Sequence, residues 1–454
     1  MKKVKVLVSI FLSLAMFLTL ASCSQNIEND TSDTSLPSID ELNIGEHTDI
    51  VADIKFVTFR TDIMDKLENY ADEFHKIYPN VNISYEGIDD YEATTITYLT
   101  SGMDWGDIMM IPLGIEKFTA PEYFISLGTS DTLSKIYNYT GAWTYNNNVY
   151  GLAYTGNANG LIYNKNVFKK AGISDVPKNP KEFIAALTKI KNNTDAIPLY
   201  TNYADEWPMS CWDAYMGINS TGSTKYYYQT LVHSESPFSN FGDDTHPYAV
   251  YKILYDSVAN GLTEPDYTTT DESLCYSMIN EGKIGVLAFA SWGVIQAMNA
   301  GNNPDDIGYM PFPITVNGKQ YVSINGDYSY GINKKSSKDK KIASMLYIKW
   351  LIHESGFDYS EGGLSVLKGG KNPDFYQSLS DCELLENEPP IKGEEDYFDL
   401  INSDSGLLFN ANGNKKGQNI VEHAFKGDKD FDAIMNDWNK AWSDAQKKNN
   451  IPVN

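Results

Sequence analysis

One arginine, Arg60, stands among 36 basic residues, and the 454-residue chain has only four cysteines and six histidines. Each scarcity removes a class of function. Nucleic-acid binding relies on a net positive surface and on arginine's bidentate fork. With a formal charge of −24 this chain suits neither nucleic acid nor an anionic membrane surface. Cys23, Cys211, Cys275 and Cys382 lie far apart, the histidines form no HxxxH pair, and no pairing has metal-ligand spacing. Neither a metal site nor a cofactor is therefore expected. Free buried thiols are the simplest expectation for Cys211, Cys275 and Cys382, with one disulfide among them left open. A GxSxG elbow, an HExxH pair and a phosphate-binding GxxxxGK loop are also missing, which leaves serine hydrolase, zinc protease and ATPase readings without support.

Long apolar runs are rare too. The one at the start, Val6 to Leu20, follows Lys2, Lys3 and Lys5 and is too short for a comfortable membrane span. It reads as a secretion signal. Leu20-Ala21-Ser22-Cys23 resembles the lipobox of bacterial lipoproteins, which implies cleavage after residue 22 and a lipid on Cys23. Such a lipid would hold the protein at the membrane on its extracytoplasmic face without spanning it. Residues 24–49, "SQNIENDTSDTSLPSIDELNIGEHTD", lack helical or strand periodicity, so residues 23–49 read as lipidated cysteine plus flexible tether, with a reach on the order of 30 Å.

What is present is α/β patterning. "DIKFVTF" (53–59) predicts a buried strand. Ile63, Leu67, Tyr70, Phe74 and Ile77 then follow helical spacing until Pro79. "NVNISYEGI" alternates as a strand should, and "DIMMIP" (107–112) is a short strand buried on both faces. "GLIYNKNVFKKAGI" (160–173) passes from strand to helix, and "KIGVLAFASW" (283–292) is a further buried strand. Amphipathic helices are expected over 179–193, over 338–355 and in "FDAIMNDWNKAWSDAQKK" near the end. Alternating strands and helices point to mainly parallel sheets flanked by helices.

The blocks resemble, in order, the family 1 extracellular solute-binding proteins, the sugar-binding lipoproteins of ABC importers. The resemblance is carried by "FHKIYPNVNISYE", "LTSGMDWGDIMMIP", "VYGLAYTGNANGLIYNKNVFKKAGI", "NPKEFIAALTKIK", "MINEGKIGVLAFASWGV", "IGYMPFP" and "SYGINKKSSKDKKIASMLYIKWL". Trp105-Gly106-Asp107 stands where Pro-Asp is usual, and Asn179-Pro180 replaces Pro-Thr-Trp. The resemblance covers most of residues 50–365. It implies a periplasmic-binding-protein-like fold of two α/β lobes with a ligand cleft between them: 50–155 plus 314–357 for the first lobe, 156–313 plus 358–454 for the second. It also implies a monomer that hands its ligand to the membrane subunits of an ABC permease.

A sugar has apolar C–H faces that stack on aromatic rings and hydroxyls that need polar partners, since an unpaired buried hydroxyl costs roughly 1–3 kcal/mol. Trp292 directly follows an apolar strand and matches the family's cleft tryptophan. Glu206 and Trp207 follow the short strand "AIPLY" and match another cleft position. Arg60 lies where the first strand gives way to its helix, with Asp62 beside it as a helix cap. Tyr154, Asn157 and Asp327 fall at the implied crossovers, and Asp107 either reaches ligand or braces the sheet. Trp212, Trp350, Trp438 and Trp442 read as core. The function expected is carbohydrate capture without bond cleavage. The alternatives are a glycoside hydrolase, which needs two facing carboxylates, and a binder of a polyamine, iron or an organophosphate.

Overall fold

The computed structural model describes residues 36–410 and 415–454. The leader and Cys23 lie outside the described residues. Along the chain run β1 (Ala52–Thr58), β2 (Val81–Gly87) and β3 (Ile108–Met110), the short hairpin β4 (Thr144–Tyr145) and β5 (Asn148–Val149), and then β6 (Leu152–Ala153), β7 (Gly156–Ala158) and β8 (Gly160–Asn164). They continue as β9 (Ile197–Tyr200), β10 (Ile284–Leu287), β11 (Ile307–Pro311), β12 (Tyr321–Gly326), β13 (Ser329–Ile332) and β14 (Glu383–Leu385).

Two sheets each organise a lobe. The first has the order β2-β1-β3-β13-β6 and the second β11-β8-β10-β9. β1 is parallel to β2 and β3, and β10 to β9. The sheets are mixed rather than mainly parallel: β13 runs antiparallel to β3 and β6, and β8 to both β10 and β11. The antiparallel strands are those next to the crossings. A third small sheet, β14-β12-β7, lies where the chain passes between lobes. β7 leads from β6 of the first sheet to β8 of the second, and β12 returns to β13, the two pairing antiparallel.

The local causes are those read from the sequence. The helix Met64–Ile77 buries Leu67 and Phe74 and stops before Pro79. Asn179 caps the helix Pro180–Asn193 by accepting from the Glu182 N–H at 2.9 Å, while Glu182 accepts from the Lys178 N–H at 2.8 Å; this reciprocal arrangement satisfies amides that the first helical turn leaves unpaired. The helix Phe431–Lys448 buries Ile434, Met435, Trp438 and Trp442. Trp212, Trp350, Trp438 and Trp442 are all buried in the cores. Cys211, Cys275 and Cys382 are free thiols, but only Cys275 is fully buried.

Two boundaries differ from expectation. Residues 36–49 are packed on the first lobe, not part of a loose tether: Ile39 and Leu42 are buried in its core. The Ile39 N–H donates to the Leu127 carbonyl at 2.8 Å. The Lys349 ammonium gathers the carbonyls of Ile39, Asp40 and Leu42. Two apolar anchors and one capping lysine outweigh a polar composition. The chain also stays with the first lobe beyond 357, since Leu364 bridges to Gly156 and Leu367 to Tyr137, and the Val366 carbonyl accepts from the Asn138 N–H at 2.7 Å.

Candidate functional site

In sheets of this type ligands bind beyond the carboxyl ends of the strands. On the second lobe those ends present rings. Trp207 stacks on Phe289 with centroids 5.7 Å apart and planes 3° from parallel. Trp292 tilts over the same pair, 5.0 Å from Phe289 and 5.7 Å from Trp207. Phe289 is buried, whereas both tryptophans are only partly so. The expected Trp207 and Trp292 thus come together, supported by Phe289. Phe289 lies just past the end of β10 within the apolar stretch 283–292, and that position was the available signal.

Glu206 precedes Trp207, half-exposed, with its Oε1 3.2 Å from Lys415 Nζ. The segment leaving β9 is fixed at its start by Glu264, whose Oε2 accepts from the Thr201 N–H at 3.1 Å and whose Oε1 accepts from the Thr201 hydroxyl. Burial pushes the Glu264 carboxyl up to about 7 against the opposing pull of these bonds. A carboxyl whose folded pKa exceeds its unfolded value stabilises fully below the unfolded pKa, near 4.5, and loses that contribution as pH rises through about 7. Compared with Glu264→Gln, the wild-type protein should therefore lose about 3 kcal/mol of unfolding free energy between pH 4.5 and pH 8, read from urea denaturation of both proteins across that window. A constant difference would mean that the carboxyl does not titrate there.

On the side of the first lobe and its crossings the groups are polar. Arg60 is 12 % exposed and is no free surface charge. Its Nε and Nη2 donate to Asp62 at 2.8 and 2.9 Å, and Nη2 also donates to Glu361 at 2.6 Å. Asp62 caps no helix; it pairs with this guanidinium. Asp327 Oδ2 accepts from Asn157 Nδ2 at 2.7 Å and from the Tyr154 hydroxyl at 3.3 Å. Burial raises the Asp327 pKa, opposed by hydrogen bonds from the Tyr328 N–H, Asn157 and Tyr154 and by the charge of Arg60. Tyr154 and Asn157 are buried and brace Asp327. Phe59 and Tyr328, with ring centroids 4.5 Å apart, add an aromatic pair beside them. Sequence reasoning missed Phe59, Tyr328 and Glu361, and Glu361 had no local signal at all. Ser291 joins the two groups: its hydroxyl accepts from the Ala158 N–H at 2.9 Å and lies 3.5 Å from Asn157 Oδ1, immediately before Trp292.

Asp107 does not belong to this site. It stands at the amino end of β3 and accepts from the Lys55 N–H at 3.1 Å, the Ser336 hydroxyl at 2.6 Å and Lys340 Nζ at 2.9 Å. Its carboxylate braces the sheet, because every strong donor near it belongs to the framework. Among the described residues no cluster of histidine, cysteine, aspartate and glutamate is placed to hold a metal, and no helix is long and apolar enough to cross a membrane.

Two lobes joined by crossing strands, with rings on one side of the crossings and bonded polar groups on the other, define a two-domain binding protein. The family model for bacterial extracellular solute-binding proteins matches residues 60–356, and the chain belongs to that family. Among solved structures it is 42% identical to BlMnBP1, a binding protein of an ABC transporter from Bifidobacterium animalis subsp. lactis, in complex with mannobiose. That match has a TM-score of 0.86 and covers 91% of this chain and 99% of that one. The same identity, coverage and TM-score hold for BlMnBP2 of the same organism, a manno-oligosaccharide-specific solute-binding protein in complex with mannotriose. A multiple sugar-binding protein of Streptococcus mutans is 23% identical over 174 residues, and the match spans 37% of this chain and 41% of that protein.

Proposed function

We propose that the protein is the substrate-binding component of an ABC importer and captures a manno-oligosaccharide of two or three units. The observation that carries this reading is the 42% identity over 91% of the chain to two proteins solved with mannobiose or mannotriose. That similarity goes beyond a shared fold, which alone would not assign a ligand. The site chemistry agrees with it. Trp292 and Trp207 offer ring faces to the apolar side of a pyranose. Glu206, Asp327 and Arg60, with Tyr154 and Asn157 behind them, offer partners for hydroxyls. The sugar is held and released intact, by closure of the lobes about β7 and β12. The protein acts as a monomer outside the cytoplasmic membrane, anchored by a lipid on Cys23, and it hands the sugar to the permease subunits.

A thermal-shift panel of mannobiose, mannotriose, raffinose, stachyose and spermidine tests the ligand. Mannotriose at a hundredfold excess over its dissociation constant should add about 2.7 kcal/mol of stability, and chromatography should recover the sugar uncut. A melting point moved by raffinose or spermidine and not by the mannosides overturns the assignment, as does hydrolysis. Mass spectrometry of the membrane fraction should find a diacylglyceryl group on Cys23; an unmodified thiol refutes the anchor.

A further inference from the structure

The turn that presents Trp207 is held in an unfavourable shape. Asn202 and Glu206 both have positive φ, at 55° and 60°, and Glu206 combines it with a ψ of −57°. Asparagine visits the left-handed region readily, but a glutamate keeps the Glu206 conformation only where its surroundings impose it. Two segments supply the constraint: Thr270 Oγ1 accepts from the Ala204 N–H at 3.1 Å and Asp205 accepts from the Glu272 N–H on one side, and the helix Lys416–Lys426 holds the other. Gln418 Nε2 donates to the Tyr203 carbonyl at 2.8 Å, and the Tyr203 hydroxyl donates to Glu422 Oε1 at 2.7 Å. Gln418 and Glu422 lie one turn apart on the helix, so they grip one residue of the turn at both its backbone and its side chain. Lys415, just before the helix, reaches Glu206 itself. Gly417 lies directly against Met209, where a Cβ would stand 3.2 Å from both the Met209 Cβ and its carbonyl oxygen. The helix therefore abuts the stretch Trp207–Tyr215 as well as the turn.

We infer that this helix is a strut: Gln418 and Glu422 are positioning residues that fix the turn carrying Glu206 and Trp207, and so set ligand affinity without touching the ligand. The affinity part rests on the binding site proposed above, whereas the mechanical part stands on the contacts alone. If the turn were free to relax, Trp207 would lose its parallel seat on Phe289, and each binding event would have to restore it.

The test has two arms. Hydrogen exchange on the ligand-free protein compares wild type with Gln418→Ala/Glu422→Ala. Faster exchange confined to peptides spanning 201–215 supports the strut, and unchanged exchange overturns it. Titration with mannotriose should then show affinity weakened roughly tenfold in the double variant, mainly through faster dissociation. Glu422→Gln, which keeps an oxygen to accept the Tyr203 hydroxyl, should bind as wild type while Glu422→Ala does not. A loosened turn with unaltered affinity overturns the positioning role. If wild type itself ignores mannotriose, the ligand assignment falls, and the exchange arm alone then judges the strut.

Discussion

Trp292→Ala should weaken mannotriose binding about a hundredfold, a loss of roughly 2.7 kcal/mol that places it among interface residues of the largest effect. The ring sits at the start of the short helix Trp292–Asn299, directly beyond an apolar strand, only partly covered by its neighbours. It packs against two rings, Phe289 and Trp207, and is only partly buried, so indole surface remains for a partner with an apolar face. An aromatic platform contributes through area and through shape, and alanine removes both. Trp292→Phe should recover part of the loss, because a smaller ring still offers a face. The measurement is calorimetric titration, paired with the melting temperature of the ligand-free protein. A variant that melts only slightly lower yet binds far more weakly identifies Trp292 as a ligand contact. Equal binding in wild type and variant would assign the ring to packing and remove the strongest candidate from the site.

How much of this was legible in the sequence depends on the range of the interactions involved. Helices such as Met64–Ile77 and Phe431–Lys448 were readable because their apolar spacing and caps lie within a few residues of one another. The aromatic half of the site was readable for a similar reason: Trp207 and Trp292 follow short apolar strands, and the ends of such strands meet at the crossings. The polar half was only half readable. Arg60 stood out as the single guanidinium, but the carboxylate that holds it, Glu361, is 301 residues away. Asp107 looked like a site residue because its fate is decided by Ser336 and Lys340, distant in sequence and invisible to any local pattern. The same limit explains residues 36–49. Their composition is that of a tether, yet Ile39 and Leu42 find a core, and Lys349 supplies the charge that satisfies their carbonyls. The crossings needed family resemblance for their rough location. Their true edges at β7 and β12 depend on register, which composition does not encode.

Removing one half of the ion pair between Asp213 and Lys416 should cost about 3–5 kcal/mol of stability, because it strands a charge in a dry interior. The side chains are 1 % and 5 % exposed. Asp213 Oδ1 accepts from the Tyr251 hydroxyl at 2.7 Å and Oδ2 from the Asn410 N–H at 2.8 Å, while the Lys416 ammonium lies 4.7 Å from the centre of the Phe409 ring. The two truncations differ in what they leave. Lys416→Met leaves a carboxylate that keeps two hydrogen bonds. Asp213→Asn leaves an ammonium with an amide and a ring, and burial already lowers the Lys416 pKa even with Asp213 pulling it up. In Asp213→Asn that pKa falls further, so the unfolded chain binds more protons than the folded one over the alkaline side of neutrality, and stability must rise with pH there. Urea unfolding of Asp213→Asn at pH 7 and pH 9 should show the gain, whereas Lys416→Met, which has no ammonium at this position to release, should not. The double variant Asp213→Asn/Lys416→Met should lose less than the sum of the single losses, since neither charge then remains. Additive losses with no pH-dependent gain would mean that water reaches the pair and that its burial is not what anchors the helix Lys416–Lys426 to the stretch carrying Trp207.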